Sequence, residues 1–150
     1  MKNIVMMLFI LVGISVLQAK EYKALFDCSS GDAHYLNTRM FLIGKTASMM
    51  KEDGDTTDFV LTLHGDCAPL ISKNFEEIVD DSDVENMLNA QQALIDLAKN
   101  NILKVVTCAM SLKRNGIPHK DVLDFVHISK NSYIDAIKYQ NDGYAIMTFK

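Results

Sequence analysis

The sequence predicts one α/β domain in which helices and a mostly parallel five-stranded sheet form a three-layer sandwich. Short apolar runs rich in β-branched residues alternate with segments of helical periodicity, and no linker or repeat interrupts the alternation. The segments between the predicted strands are long enough to hold helices, and connections of this length join parallel strands by right-handed crossovers. A single sheet with helical connections is therefore expected.

Residues 1–19 have the pattern of a cleavable signal peptide. One basic residue, Lys2, precedes an uncharged apolar run from Ile4 to Leu17, and the small residue Ala19 suits the position before the cut. The apolar run is shorter than the roughly 20 residues that span a bilayer as a helix, so a membrane anchor is the less favoured alternative. We therefore expect a periplasmic protein, secreted through this segment, with no stable membrane insertion.

The domain predicted for residues 20–150 is acidic. The whole chain has a net charge of −4, and the loss of Lys2 with the signal peptide makes the remainder more negative. No basic stripe is present that would bind nucleic acid. The chain also lacks a glycine-rich phosphate loop after its first strand, a GxSxG elbow and an HExxH motif, which weighs against nucleotide-binding and hydrolase functions.

The first strand and the first helix are predicted within residues 22–54. The apolar run from Tyr22 to Cys28 is short enough for a buried strand, and the turn cluster at residues 29–32 offers helix N-caps. A helix that ends near Gly54 is indicated by apolar residues that recur at intervals of four and three. These residues are Leu36, Met40, Ile43, Ala47 and Met50.

The middle of the chain predicts two further strands and a long helix. The elements that follow the first helix are a strand from Asp58 to His64, a loop over residues 65–69 and a short helix over residues 74–79. Ser82 and Glu85 have the spacing of a capping box, which predicts a helix that runs to about Asn100. The run from Ile102 to Cys108 is β-branched and apolar on both faces, so we expect it to be the third strand and central in the sheet.

The last part of the chain completes the predicted sheet. Its elements are a helix from Ala109 to Asn115 that stops at Gly116, a short helix with Pro118 in its first turn, a strand from Phe125 to Ser129, a helix from Tyr133 to Tyr139 and a closing strand from Tyr144 to Phe149. Five strands with helices between them are typical of a flavodoxin-like sandwich.

Three cysteines follow the predicted strand ends. Reactive groups of parallel sheets gather outside the carboxyl ends of the strands. Cys28 ends the first strand, Cys67 lies three residues after the second, and Cys108 ends the third. Each could be an ordinary buried residue. An odd number in an exported chain leaves at least one thiol without an internal disulfide partner, and all three pairings stay open.

Cys108 is the preferred nucleophile because a helix follows it directly. The unpaired amides and the dipole of a helix N-terminus lower the pKa of a thiol, and a thiolate is the form that attacks or accepts sulfane sulfur. His64, at the end of the second strand, is expected to be a polar group that can activate or protonate a neighbouring thiol.

A metal site is the weaker interpretation of the same residues. His64 and Cys67 could supply two ligands, and Cys28, His34, Cys108 or Met110 could add others of a softness that suits copper or zinc. Paired CxxC or HxxxH spacing is missing, however. We therefore expect neither a metal nor a bound organic cofactor.

Several short motifs carry a resemblance to a known family. Cys108 stands at a strand end, a Lys-Arg-x-Gly-Ile step begins at Lys113, and a Gln-x-x-Gly-Tyr motif begins at Gln140. Upstream are Leu-Phe-Asp at residues 25–27 with Ser-Gly-Asp at 30–32, and Leu-His-Gly at 63–65. With these motifs nearly the whole domain resembles the DsrE/DsrF-like proteins, the sulfur-relay family, in an exported form.

The resemblance implies a fold, an assembly and an activity. The fold is a five-stranded flavodoxin-like sheet, the assembly is a homo-oligomer, and the cysteine that matches Cys108 receives persulfide sulfur and passes it on. The implied partners are sulfur-donor and sulfur-acceptor proteins or small sulfur species. Cys28 and Cys67 lie outside the family pattern, so they could resolve a Cys108 persulfide as a disulfide or form a structural bridge.

The expected function is therefore that of a periplasmic sulfur-handling protein that carries persulfide sulfur on Cys108. Turnover of a free small substrate is not implied. Three alternatives remain. The first is a thiol-disulfide oxidoreductase that uses Cys108 with Cys67 or Cys28, and the second is a non-catalytic oligomeric binding module of the same fold. The third is a metal-binding protein.

Overall fold

A computed structural model describes residues 19–149, and within them five strands form one sheet. The strands are β1 (Glu21–Cys28), β2 (Thr56–Leu63), β3 (Leu103–Cys108), β4 (His127–Ser129) and β5 (Ala145–Phe149). Their order across the sheet is β4-β3-β2-β1-β5, and every neighbouring pair is parallel. The signal peptide predicted for residues 1–19 lies outside the described residues, apart from Ala19, and stays a prediction.

Helices cover both faces of this sheet. They are α1 (Ala33–Glu52), α2 (Val84–Lys99), α3 (Ala109–Arg114) and α4 (Ser132–Asn141), with 3-10 helices at Gly65–Ile71, Phe75–Glu77 and His119–Asp121. The chain moves in one direction from β1 to β3, so right-handed crossovers place α1 and α2 on the same face. It then returns from β4 to β5 on the far side of β1, which places α4 on the opposite face. This three-layer arrangement confirms the predicted flavodoxin-like sandwich.

The two faces differ in the depth of their cores. On the first face, apolar side chains of α1 and α2 pack on the sheet in a large cluster that includes Leu36, Met40, Met87, Leu94, Phe26 and Leu61. On the second face, a small cluster of Leu25, Val60 and Val106 is covered by Ala136 and Tyr139 of α4 and by Tyr144. The second face thus has less apolar cover, and polar groups lie on it at both ends of the strands.

Two details differ from the expectation for the long helix and the third strand. The predicted capping box at Ser82 is wrong, because the N-cap of α2 is Asp83 and its side chain makes no capping hydrogen bond. The amide of Asp83 donates to the carbonyl of Asp80 at 2.8 Å, and this turn holds Ser82 outside the helix. The third strand is interior but not central, since β3 lies between β2 and β4 and the middle strand is β2.

Shorter elements also differ in extent. Residues 74–79 hold only a 3-10 helix, and Pro118 precedes the 3-10 helix at 119–121 instead of entering it. β4 begins at His127 because the amide of Val126 donates to the carbonyl of Leu123 at 3.0 Å, which keeps the residues before it in a turn. Among the described residues, no helix is both long and apolar enough to cross a membrane.

Candidate functional site

The site is built around the thiol of Cys108, the last residue of β3 and the N-cap of α3. It is the free cysteine of the described chain and is only 4% exposed. Backbone amides of Ser111, Ser132 and Met110 and the hydroxyl of Ser111 donate hydrogen bonds to its sulfur. Because Ser132 begins α4, the N-terminal ends of two helices converge on this one atom.

These contacts change the acidity of the thiol. Burial raises the pKa of Cys108, but the hydrogen bonds from Ser111, Ser132 and Met110 outweigh it, so the pKa lies below the ordinary value of 9.0. Hydrogen bonds to the charged form of a group favour that form. The arrangement therefore shifts a buried thiol towards its charged form, which is the direction expected from the helix that follows.

His64 lies beside Cys108 on the neighbouring strand. Its backbone is extended and its amide donates to the carbonyl of Cys28 at 2.9 Å, so it continues the pairing of β2 with β1 by one residue. Leu63 is in register with Thr107, which brings His64 level with Cys108. Side chains of paired parallel residues lie on the same face, and adjacent strands are about 4.8 Å apart. The imidazole and the thiol are therefore neighbours.

Asp27 of β1 holds the imidazole from the other side. The Nε2 atom of His64 lies 3.1 Å from Oδ1 of Asp27, and the hydroxyl of Thr62 donates to the same oxygen at 3.0 Å. The hydrogen bond to Asp27 raises the pKa of His64, burial lowers it, and the charges of Asp27 and Cys108 raise it, with a net value above the ordinary 6.5. These contacts shift His64 towards its protonated form, in the same site where the hydrogen bonds to Cys108 shift that thiol towards its charged form.

The loop after His64 is tied to α3. The hydroxyl of Ser111 accepts a hydrogen bond from the amide of Gly65 at 3.0 Å, and the side-chain amide of Asn115 donates to the carbonyl of Gly65 at 2.9 Å. Gly65 has a φ of 55°, in the left-handed region that favours glycine. This turn lets the chain leave the sheet immediately after His64, so that the histidine and Ser111 both face Cys108.

Cys28 and Cys67 form a disulfide with a Cα–Cα distance of 5.9 Å. Both are fully buried, in the core cluster beneath α1 and α2. Cys28 is in register with Leu63, and Leu63 with Thr107, so the alternation along β3 directs Cys108 to the opposite face. Of the four candidate residues from the sequence, the fold brings Cys108 and His64 together and holds Cys28 and Cys67 apart from them.

The disulfide also removes Cys67 from the ligand set considered for a metal, because its sulfur is bonded to Cys28. In residues 19–149 no group of three or more histidine, cysteine, aspartate or glutamate side chains has the geometry to hold a metal ion.

Asp27 and Ser111 are site residues that sequence reasoning missed. Asp27 is an acidic residue in an apolar strand, one position before the strand end. An acidic side chain at that position could have been identified from the sequence as a candidate site residue. Ser111 had no comparable signal, because it becomes part of the site only when α3 turns it towards both Gly65 and Cys108.

Comparisons with known proteins agree with this architecture. The model of the DsrE/DsrF-like family matches residues 23–149. An uncharacterized protein of Aquifex aeolicus (strain VF5) is 32% identical over 133 residues, which cover 89% of this chain. This chain spans only 58% of the length of that relative. A solved structure of a protein of unknown function from Methanobacterium thermoautotrophicum superposes with a TM-score of 0.56 at 12% identity, covering 88% of this chain and all of that one, and supports the fold alone.

Proposed function

The chain belongs to the DsrE/DsrF-like family, and from this premise we propose that it handles sulfur by carrying it as a persulfide on Cys108. The observation that carries the proposal is the free thiol of Cys108, which receives hydrogen bonds from Ser111, Ser132 and Met110 and lies beside His64. A cysteine stabilised as a thiolate at a strand end is suited to accept a sulfur atom.

The transfer itself needs no oxidant. The Cys108 thiolate attacks the outer sulfur of a donor persulfide, a new S–S bond forms on Cys108, and the bond between the two donor sulfurs breaks. The donor leaves as a thiolate with the electron pair of the broken bond, and His64 can supply the proton that neutralises it. Delivery to an acceptor thiolate is the same exchange in reverse, with Cys108 as the leaving group.

The position of the disulfide favours a carrier that uses one cysteine. An oxidoreductase cycle would require Cys108 to attack Cys28 or Cys67, yet both of these lie in the core on the opposite face of the sheet. Cys108, in contrast, has its own hydrogen-bond donors on its face of the sheet and needs no second cysteine to accept a sulfur atom. We therefore propose that the disulfide supports the fold and that sulfur is exchanged with an external partner.

The partners that fit are sulfur-donor and sulfur-acceptor proteins or small sulfur species. The site lies close to solvent, since Met110 is 64% exposed and the His64 side chain is partly exposed. A donor could thus approach without a rearrangement of the sheet. Because we propose that the protein acts in the periplasm, its partners would differ from the cytoplasmic sulfur-transfer proteins of the family.

Sulfur loading of Cys108 tests the proposal. The purified protein is incubated with inorganic polysulfide, freed of excess reagent and weighed by intact mass spectrometry. We expect a gain of one sulfur atom that cyanide removes as thiocyanate. Cys108→Ser should lose this gain and keep its circular dichroism spectrum, because serine is close in size to the buried thiol.

The double variant Cys28→Ala/Cys67→Ala is the matched control, because it removes the other two sulfurs and retains Cys108. It should load sulfur to the same extent as the wild type. A wild-type protein that gains no sulfur, or a Cys108→Ser variant that gains as much as the wild type, would refute the carrier function.

A further inference from the structure

Ser129 has a buried hydroxyl that forms no hydrogen bond with any group of the Cys108 site. Ser129 is the last residue of β4 and is in register with Cys108. Only 8% of its surface is exposed. Its Oγ atom is buried and forms no hydrogen bond with any part of the chain in residues 19–149. Buried hydroxyl groups are nearly always hydrogen-bonded, so a donor without a partner at this position calls for an explanation.

The register aims this hydroxyl at the sulfur site. Paired residues of parallel strands place their side chains on the same face, and neighbouring strands are about 4.8 Å apart. Ser129 and Cys108 are such a pair, on the face that also carries His64 and Asp27. The hydroxyl is nevertheless not within hydrogen-bonding reach of the Cys108 thiol.

A persulfide on Cys108 would bring a sulfur atom closer to the Ser129 hydroxyl. It adds one sulfur atom to Cys108 at an S–S bond length of about 2.05 Å. The outer sulfur of a persulfide is readily ionised, so it is an acceptor that matches an unused hydroxyl donor. The same addition moves negative charge outwards from the thiol sulfur, towards the groups that surround it.

The N-terminal end of α4 lies on the same side of the site. This helix has ten residues, and its first residue, Ser132, lies three positions after Ser129. The amide of Ser132 already donates to the Cys108 sulfur. A helix N-terminus favours negative charge through its unpaired amides and its dipole. The β4–α4 connection therefore presents two kinds of donor to the same small volume.

We propose that the hydroxyl of Ser129, together with the N-terminal end of α4, binds the outer sulfur of the Cys108 persulfide. This inference rests on the proposed function and assigns a binding residue for its cargo. The bound outer sulfur is held away from solvent nucleophiles until a partner thiolate approaches. Ser129 thus sets the lifetime of the loaded state, whereas His64 and Asp27 act on the thiolate before loading.

The test compares the rate at which cyanide removes sulfur from loaded proteins. Full-length wild type and Ser129→Ala are loaded with inorganic polysulfide, and thiocyanate release is followed with time. We expect release about tenfold faster from Ser129→Ala, the effect of losing one hydrogen bond to a charged acceptor. Iodoacetamide alkylation of the unloaded proteins is measured in parallel, because it reports access to the thiol itself.

Thr107→Val is the matched control, because it also removes a buried hydroxyl beside Cys108 but from the opposite face. Its loaded form should release sulfur at the wild-type rate. Ser129→Thr keeps a hydroxyl at the position and should restore most of the wild-type lifetime.

The outcomes separate this inference from the proposed function. Equal release rates in wild type and Ser129→Ala would overturn the role of Ser129 and leave the carrier function intact. A wild type that does not load would overturn both. If Ser129→Ala does not fold, a crystal structure of the loaded wild type decides the matter, and an outer sulfur beyond hydrogen-bonding distance of Ser129 would refute the inference.

Discussion

At the residue scale, a chain of contacts across three adjacent strands links Asp27 to the Cys108 site. Asp27 on β1 contacts His64 after β2, and His64 lies beside Cys108 at the end of β3. We propose that Asp27 acts on the thiol without touching it, through the imidazole that it holds. It is therefore a positioning residue, and its contribution should appear in the pH dependence of the thiol.

We expect Asp27→Asn to shift the alkylation profile of Cys108 to higher pH. The amide cannot stabilise an imidazolium as the carboxylate does, so the pKa of His64 falls and the pKa of the Cys108 thiol rises with it. Iodoacetamide rates measured across a pH series give the profile. Asp66→Asn is the control, because Asp66 is an exposed carboxylate paired with Arg114, and an equal shift in that variant would contradict the proposed role of Asp27.

Asp27→Asn should also change how the free energy of unfolding depends on pH. The pKa of His64 is raised in the folded state above 6.5, so its contribution is fully present below pH 6.5 and is lost as the pH rises through the folded-state value. We expect the stability difference between wild type and Asp27→Asn in urea to be largest below pH 6.5 and to narrow at higher pH. A difference that does not change with pH would show that Asp27 acts on the fold alone.

At the scale of elements, the 3-10 helix at Gly65–Ile71 is tied to β1 by the disulfide and to the α3 region by hydrogen bonds. The disulfide between Cys28 and Cys67 lies on the α1 and α2 face. At the start of the same segment, Gly65 forms hydrogen bonds with Ser111 of α3 and with Asn115, the residue after α3. The segment that follows His64 is thus held between the core and the sulfur site.

We expect Cys28→Ala/Cys67→Ala to lower the free energy of unfolding by about 2–4 kcal/mol, the usual contribution of a disulfide that closes a loop of this size. The two cysteines are separated by 39 residues. Urea denaturation measures the loss. Because Cys108 lies on the other face, the pH profile of its alkylation should stay unchanged, and a shifted profile would show that the disulfide is coupled to the sulfur site.

At the scale of the whole molecule, the thinly covered face carries exposed apolar side chains. On α4, Tyr133 and Ile137 are 75% and 62% exposed, and on the edge strand β5, Ile146 is 37% exposed and is in register with Leu25 of the same face. The apolar patch expected at residues 125–128 contributes less, because Phe125 is 40% exposed while Ile128 packs against the core. Exposed apolar groups beside an open sheet edge are typical of an interface between proteins.

Homo-oligomerisation stays a prediction, and this surface is where we expect it. Light scattering at micromolar concentration should give a multiple of the monomer mass for the wild type. The Ile137→Lys variant should give the mass of the monomer. Leu88→Lys is the control, since it changes an exposed apolar residue of α2 on the other face. A monomeric wild type, or dissociation by Leu88→Lys only, would contradict the prediction.

Much of this architecture is determined by the sequence itself, because it depends on local patterns. The alternation of apolar runs and helical stripes defined the strands and the main helices, and the position of Cys108 before a helix indicated the acidity of its thiol. Even so, local patterns failed where a competing local contact decided the outcome. The Asp80–Asp83 turn displaced the predicted helix cap at Ser82 in this way.

Only the tertiary structure decided which residues meet at the carboxyl ends of the strands. The alternation along one strand defines which side chains share a face, but the register between strands depends on how the helices pack each strand against the next. That register separates the Cys28–Cys67 disulfide from Cys108 and aligns Ser129 with it. The sequence therefore distinguished Cys108 by the helix that follows it but left the pairing of the three cysteines open, and the opposite faces of one sheet decide that pairing.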